Sequence, residues 1–110
     1  MPKYTINVPH FKADNQGVPT TAAYEVGANF IKQVAMVAGG CTVLGTDGVG
    51  YWNAGAPIGM VTEEQTVLEV VCSCSMWHYE LLPLVSQLKA DLNQTSIFVT
   101  SVNVDIIFIP

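Results

Sequence analysis

A chain of 110 residues with four lysines, no arginine and nine acidic residues has a net charge of −5. That balance excludes a nucleic-acid surface, which needs basic side chains against phosphate. Half of the residues are hydrophobic and only 12% are charged, so the chain is read as one domain over residues 1–110 with a real core and with apolar surface left over for self-association.

In chain order, Lys3 to Val8 sets Tyr4, Ile6 and Val8 against Lys3, Thr5 and Asn7, the period of a half-buried strand. Pro9 to Pro19 contains Asp14-Asn15-Gln16-Gly17 and reads as a loop. Thr20 or Thr21 is placed to cap a helix with the stripe Ala22, Ala23, Val26, Phe30, Val34, Val37 and Ala38. Its polar side carries Glu25, Asn29, Lys32 and Gln33, and Gly39-Gly40 ends it.

Cys41 to Leu44 reads as a strand, and Asp47-Gly48 as a hairpin turn into Gly50-Tyr51-Trp52. Asn53 to Gly59 reads as a loop, and Glu64 to Cys74 as a strand with Leu68, Val70, Cys72 and Cys74 on one face. A second helix spans Trp77 to Leu92 on Leu81, Leu84, Val85, Leu88 and Leu92, with Pro83 expected in its first turn. Asn93-Gln94-Thr95 is the exit turn. Ser96 to Phe108 is a long final strand whose apolar parity switches, which implies a bulge or a strand that changes sheets.

The resulting order is β-α-β-β-α-β, the ferredoxin-like α+β class with two helices on one face of an antiparallel sheet. Val67, Val71 and Phe98 are expected on the uncovered face. A homo-oligomer, dimer or larger, is the natural way to bury that face.

No run approaches the roughly 20 apolar residues of a membrane helix. The segment Met1-Pro2-Lys3-Tyr4-Thr5-Ile6 lacks the hydrophobic core of a signal peptide. The expected compartment is therefore a cytoplasm, of a bacterium or of a host cell if a virus encodes the chain. Three cysteines cannot all pair within the chain, which fits a reducing compartment with free thiols.

Three thiolates could bind a soft metal, but Cys72 and Cys74 on one strand face stand about 7 Å apart, wider than a tetrahedral site prefers. They are read as small core hydrophobes, with no metal and no cofactor expected. Tyr51, Trp52 and Asn53, after a glycine-rich turn, can line a pocket for a flat ligand, Asn53 reading polar edges. Trp77 and His78, beside Tyr79 and Glu80, form a second stacking candidate, with a solvated helix start as the plainer account; His10 stands alone. Gly45-x-x-Gly48-x-Gly50 lacks the helix and lysine of a phosphate cradle. Glu63-Glu64 reads as a solvated strand start, and Gln94 as a turn residue.

Four runs form a set: Gly40-x-Thr42-Val43-Leu44, Gly50-x-Trp52, Glu64 before Thr66-Val67-Leu68, and Asn93-Gln94-x-Ser96-Ile97-Phe98-Val99. Together they resemble a family of small, uncharacterised ferredoxin-like proteins of bacteria and phages. The resemblance covers Phe30 to Val99, with Asn93 where a glycine is common and a longer loop after Trp52. It implies the fold and no activity.

A shorter stretch, Met1-Pro2 followed by a strand, is similar to the tautomerase superfamily. That resemblance implies Pro2 as an N-terminal base, although the chain offers no arginine as partner cation and Lys32 sits mid-helix.

The functional expectation is a non-catalytic, oligomeric domain binding a small molecule or a host protein partner at the subunit interface, near Tyr51, Trp52 and the Asn53–Met60 loop. Occurrence in phages would fit sequestration of a host signal or blocking of a host defence protein. A tautomerase-type enzyme using Pro2 and a purely structural homo-oligomer are the alternatives.

Overall fold

The computed structural model describes residues 1–107 and 109. Its centre is β1 (Pro2–Pro9), because alternation along Pro2–Pro9 buries Tyr4, Ile6 and Val8 on one side. β1 is flanked on both sides in a four-stranded antiparallel sheet of order β4-β5-β1-β6. The other sheet strands are β4 (Thr42–Asn53), β5 (Met60–Val71) and β6 (Val99–Asn103). The architecture is thus α+β: two helical elements, α1 (Tyr24–Ala38) and α2, cover one face of this sheet.

The segment read as a loop after β1 holds a separate two-stranded hairpin, β2 (Phe11–Ala13) and β3 (Pro19–Ala22). Its tip is the expected Asp14–Gly17 turn, with Asp14 Oδ1 accepting from the Gln16 and Val18 amides. Six strands therefore stand where the sequence pattern gave four and short extra pieces. Ala22, assigned to the helix stripe, is an exposed residue of β3.

α1 starts at Tyr24 behind Ala23 without a side-chain cap, so neither Thr20 nor Thr21 serves as one. Instead the Ala23 amide donates to the His10 carbonyl at 2.8 Å and ties the helix entry to the end of β1. Gly27, Phe30 and Val34 form the buried stripe, and Gly39 closes the helix at φ +83°, as its lack of Cβ permits.

α2 is one continuous helical rod in three parts: Cys74–Met76, a π turn over Trp77–Leu81, and Leu82–Asp91. The Ser73 hydroxyl caps it by accepting from the Met76 amide at 3.1 Å. Pro83 lies inside this rod, in the first turn of its Leu82–Asp91 part. Proline crowds the carbonyl four residues back, and the widened turn, with the Leu82 amide donating to the Trp77 carbonyl, directly precedes it.

Asp47-Gly48 is not a hairpin turn. β4 runs straight through it, with register shifts between Val43 and Gly45 and between Gly45 and Gly48 that absorb the extra residues as bulges. The true reversal is the Ala54–Gly59 loop. β1 ends opposite Gln65, so the five pairs from Val49↔Glu64 to Asn53↔Met60 extend beyond it as an arm. The molecule measures 54 × 23 × 21 Å.

The last strand is five residues, not thirteen. Ser96 to Phe98 approach β1 through one bond, Asn7 N–H to the Phe98 carbonyl at 3.0 Å. The parity expected of Phe108 falls outside the described residues.

The core lies between sheet and helices: Ile6, Leu68, Leu81 and Leu92 are sealed from solvent, packed with Phe30, Val34 and Leu88. Cys72 joins this core, whereas Cys74 belongs to the start of α2 and is exposed. No helix among the described residues is long and apolar enough to cross a membrane.

Candidate functional site

The helix-free face of the sheet carries a cleft of about 420 Å³ where the arm leaves the body. Its floor comes from the alternate residues of three strands: Asn7 on β1, Glu63 and Gln65 on β5, and Gly50 on β4. Tyr51 and Trp52 line it from the arm, and the Gln94–Phe98 segment from the opposite side.

Gly48 and Gly50 shape this floor by having no side chains. They face Gln65 and Glu63 across the ladder. A Cβ on Gly50 would collide with the Gln65 side-chain amide, so the glycine is what lets Gln65 lie flat over β4. The Gly45-x-x-Gly48-x-Gly50 run is therefore extended strand, none of the three at positive φ, and not a phosphate-cradling loop.

Glu63 is the chemical centre of the cleft. It was read as solvated, yet it is only 9% exposed. Gln94 Nε2 donates to its Oε1 at 3.1 Å and also to the Phe11 carbonyl at 3.3 Å. Both amide hydrogens of Gln94 are thereby committed, and Asn93 Nδ2 fastens the same turn to the Ala13 carbonyl. Gln94 is thus more than a turn residue: it ties the hairpin to the cleft floor.

No protein donor among the described residues reaches Glu63 Oε2, and that atom is not sealed away from solvent. Burial pushes the Glu63 carboxyl above the usual carboxylate range, with the Gln94 hydrogen bond pulling part of the way back. No lysine lines the cleft. Lys3, on the same sheet face, is paired with Glu69 at 3.5 Å.

The other sequence candidates are dispersed. Asn53 Oδ1 accepts from the Gly55 amide at 2.9 Å and so braces the reversal beyond the cleft. Trp77 is on the helical side, stacked on Tyr4 with centroids 4.1 Å apart and planes 7° apart. Trp52 pairs opposite Val61 and Tyr4 opposite Val70. Nine residues of strand separate these positions, about 30 Å, so the two tryptophans do not share a site. His78 is exposed, edge-on to Tyr79.

Val67 and Val71 are half-buried on the helix-free face, and Phe98 is 66% exposed at the rim of the cleft. Pro2 stands at the start of β1, opposite Asn103 on β6, its carbonyl accepting from the Cys72 amide.

His10 does not stand alone. On the helical side its Nε2 lies 2.6 Å from the Thr66 hydroxyl, its ring 5.2 Å from that of Tyr24, and its Nδ1 3.9 Å from Glu64 Oε2. Neighbouring Glu63 and Glu64 thus serve opposite faces of one strand.

Burial raises the Cys41 thiol, and burial followed by the neighbouring Cys74 raises Cys72, so both stay protonated near neutral pH and are poor metal ligands. Among the described residues no group of three or more metal-ligating side chains converges. Compared with known protein families, characterised proteins and solved structures, the chain matches none.

Proposed function

We propose that this chain is a non-catalytic binding domain, self-associated through the helix-free sheet face, that takes a small molecule in the cleft beside Trp52. The observation that carries this reading is Glu63: a residue only 9% exposed on a cleft floor, with one carboxyl oxygen held by Gln94 and the other open to the cleft. A ligand N–H that replaces solvent at that open oxygen forms a charge-assisted hydrogen bond in a partly desolvated site, where it is stronger than in water. Val67, Val71 and the exposed Phe98 on the same face support assembly.

The ferredoxin-like assignment, and with it the family resemblance, belongs to this same proposal. With the β2–β3 hairpin set aside, the sheet order β4-β5-β1-β6 and the two helical crossovers support it.

Native mass spectrometry of the freshly purified, untagged protein tests the reading. An oligomer carrying extra mass is the expected result. A bare monomer that stays soluble at high concentration would remove both parts of the proposal.

A further inference from the structure

The cleft has a distinctive chemistry. Its one ionisable carboxyl is acidic, its remaining floor is amide and hydroxyl from Asn7, Gln65, Thr95 and Ser96, and aromatic rings stand at its margin. Phosphate and carboxylate ligands would meet Glu63 with no compensating cation. A neutral apolar ligand would leave Glu63 Oε2 without a donor.

A flat cation with two parallel N–H groups meets both conditions. Each carboxylate oxygen has two lone pairs, so Oε1 can keep the Gln94 hydrogen bond and still take one N–H while Oε2 takes the other. The same planar cation stacks well on an indole face, and Trp52 lines the cleft on the Glu63 side of β4. The volume, about 420 Å³, suits a small organic molecule and not a folded partner.

Resting on the small-molecule reading above, we propose that the cleft selects a guanidinium or amidinium compound, read by Glu63 through its N–C–N edge and covered by Trp52. The raised titration of Glu63 has a consequence for such binding. Protonation removes the charge, so affinity falls as pH is lowered through a carboxyl titration lying above the ordinary range.

Three probes of one shape test this: benzamidine, benzamide and benzoate, titrated into the intact protein and followed by amide NMR shifts. Benzamidine is expected to move the Gln65 and Asn7 side-chain amides and to bind at least tenfold more tightly than benzamide, with benzoate excluded. Glu63→Gln keeps an acceptor for Gln94, and its spectrum reports whether the fold is kept. In it benzamidine should weaken at least tenfold while benzamide is unchanged.

Equal binding of benzamide and benzamidine would overturn the cation proposal and leave the small-molecule reading standing. Benzamidine binding unaltered by Glu63→Gln would overturn it equally. Absence of any shift from all three would overturn it too, and a retained mass in the native spectrum would then show that the broader reading survives.

Discussion

At the scale of single residues, Glu63 and Gly50 make opposite demands on stability and function. The folded state raises the Glu63 carboxyl pKa through burial, so the native protein holds a proton that the unfolded chain gives up more readily. Stability contributed by this group is present in full below the unfolded pKa and is lost as pH rises through the raised folded one. Glu63→Gln, which cannot ionise, is therefore expected to melt higher than the parent at pH 7, the two curves converging toward pH 4; a constant difference across that range would be the contrary result. Gly50→Ala displaces only the far end of the Gln65 side chain. Its cost is offset by the roughly 0.4–1 kcal/mol gained by restricting the unfolded chain, so melting should change little. Movement of Gln65 into the cleft is the expected readout, seen as a shifted side-chain amide resonance.

The two residues also mark where the sequence could not be read. Gly48 and Gly50 strip one strand face for the Gln65 side chain, but beside Asp47 the same glycines carry turn chemistry, which the sequence pattern reads as a hairpin turn. The burial of Glu63 is not legible in the sequence, because its partner Gln94 lies 31 positions further along and is itself held by the Phe11 carbonyl of β2. Period-2 patterning assigns a charged residue to solvent unless a distant partner is known.

Among the elements, those fixed by local chemistry were readable and those fixed by tertiary contacts were not. Gly39 ends α1 by its own conformational freedom, and the core face of β5 follows from Leu68, Val70 and Cys72. The start of α1 depends on the His10 carbonyl, a tertiary partner, and so the threonines nearby misdirected the assignment. Asp47-Gly48 has hairpin chemistry, but β5 runs alongside it and supplies ladder partners on both sides, converting the turn into bulges. The α2 cap is local: Ser73→Ala should cost about 1 kcal/mol in denaturant unfolding, and restoration by Ser73→Asp would identify the lost bond as the cause. Trp77→Ala removes the stack on Tyr4 from a half-buried position and should cost about 2–3 kcal/mol, without altering the Gln65 and Asn7 amide signals of the distant cleft.

For the whole molecule, the decisive asymmetry is between the two faces of the sheet. One is sealed by α1 and α2; the other shows Val67, Val71 and Phe98, with Val102 55% exposed on β6. Val71→Glu tests whether that face is an interface. Position 71 is half-buried on the open face, directly across the ladder from Lys3, so a monomer can accommodate the new carboxylate, with Lys3 shared between it and Glu69. If the proposed assembly forms through this face, sedimentation velocity should show a smaller species for Val71→Glu than for the parent, with the melting of the fold nearly unchanged. An undiminished sedimentation coefficient would overturn assembly through this face.

The central position of β1 also has a consequence for how the chain is made. Pro2–Pro9 is synthesised before the hairpin, α1 and β4, and both of its neighbours, Met60–Val71 and Val99–Asn103, are synthesised after them. Nearly the entire chain must emerge before the last backbone bonds of that strand, as far as Met1 with Val104, can close. Loop-closure entropy is greatest for such distant pairings. The nascent chain must therefore carry its central strand without its final partner until β6 has been made.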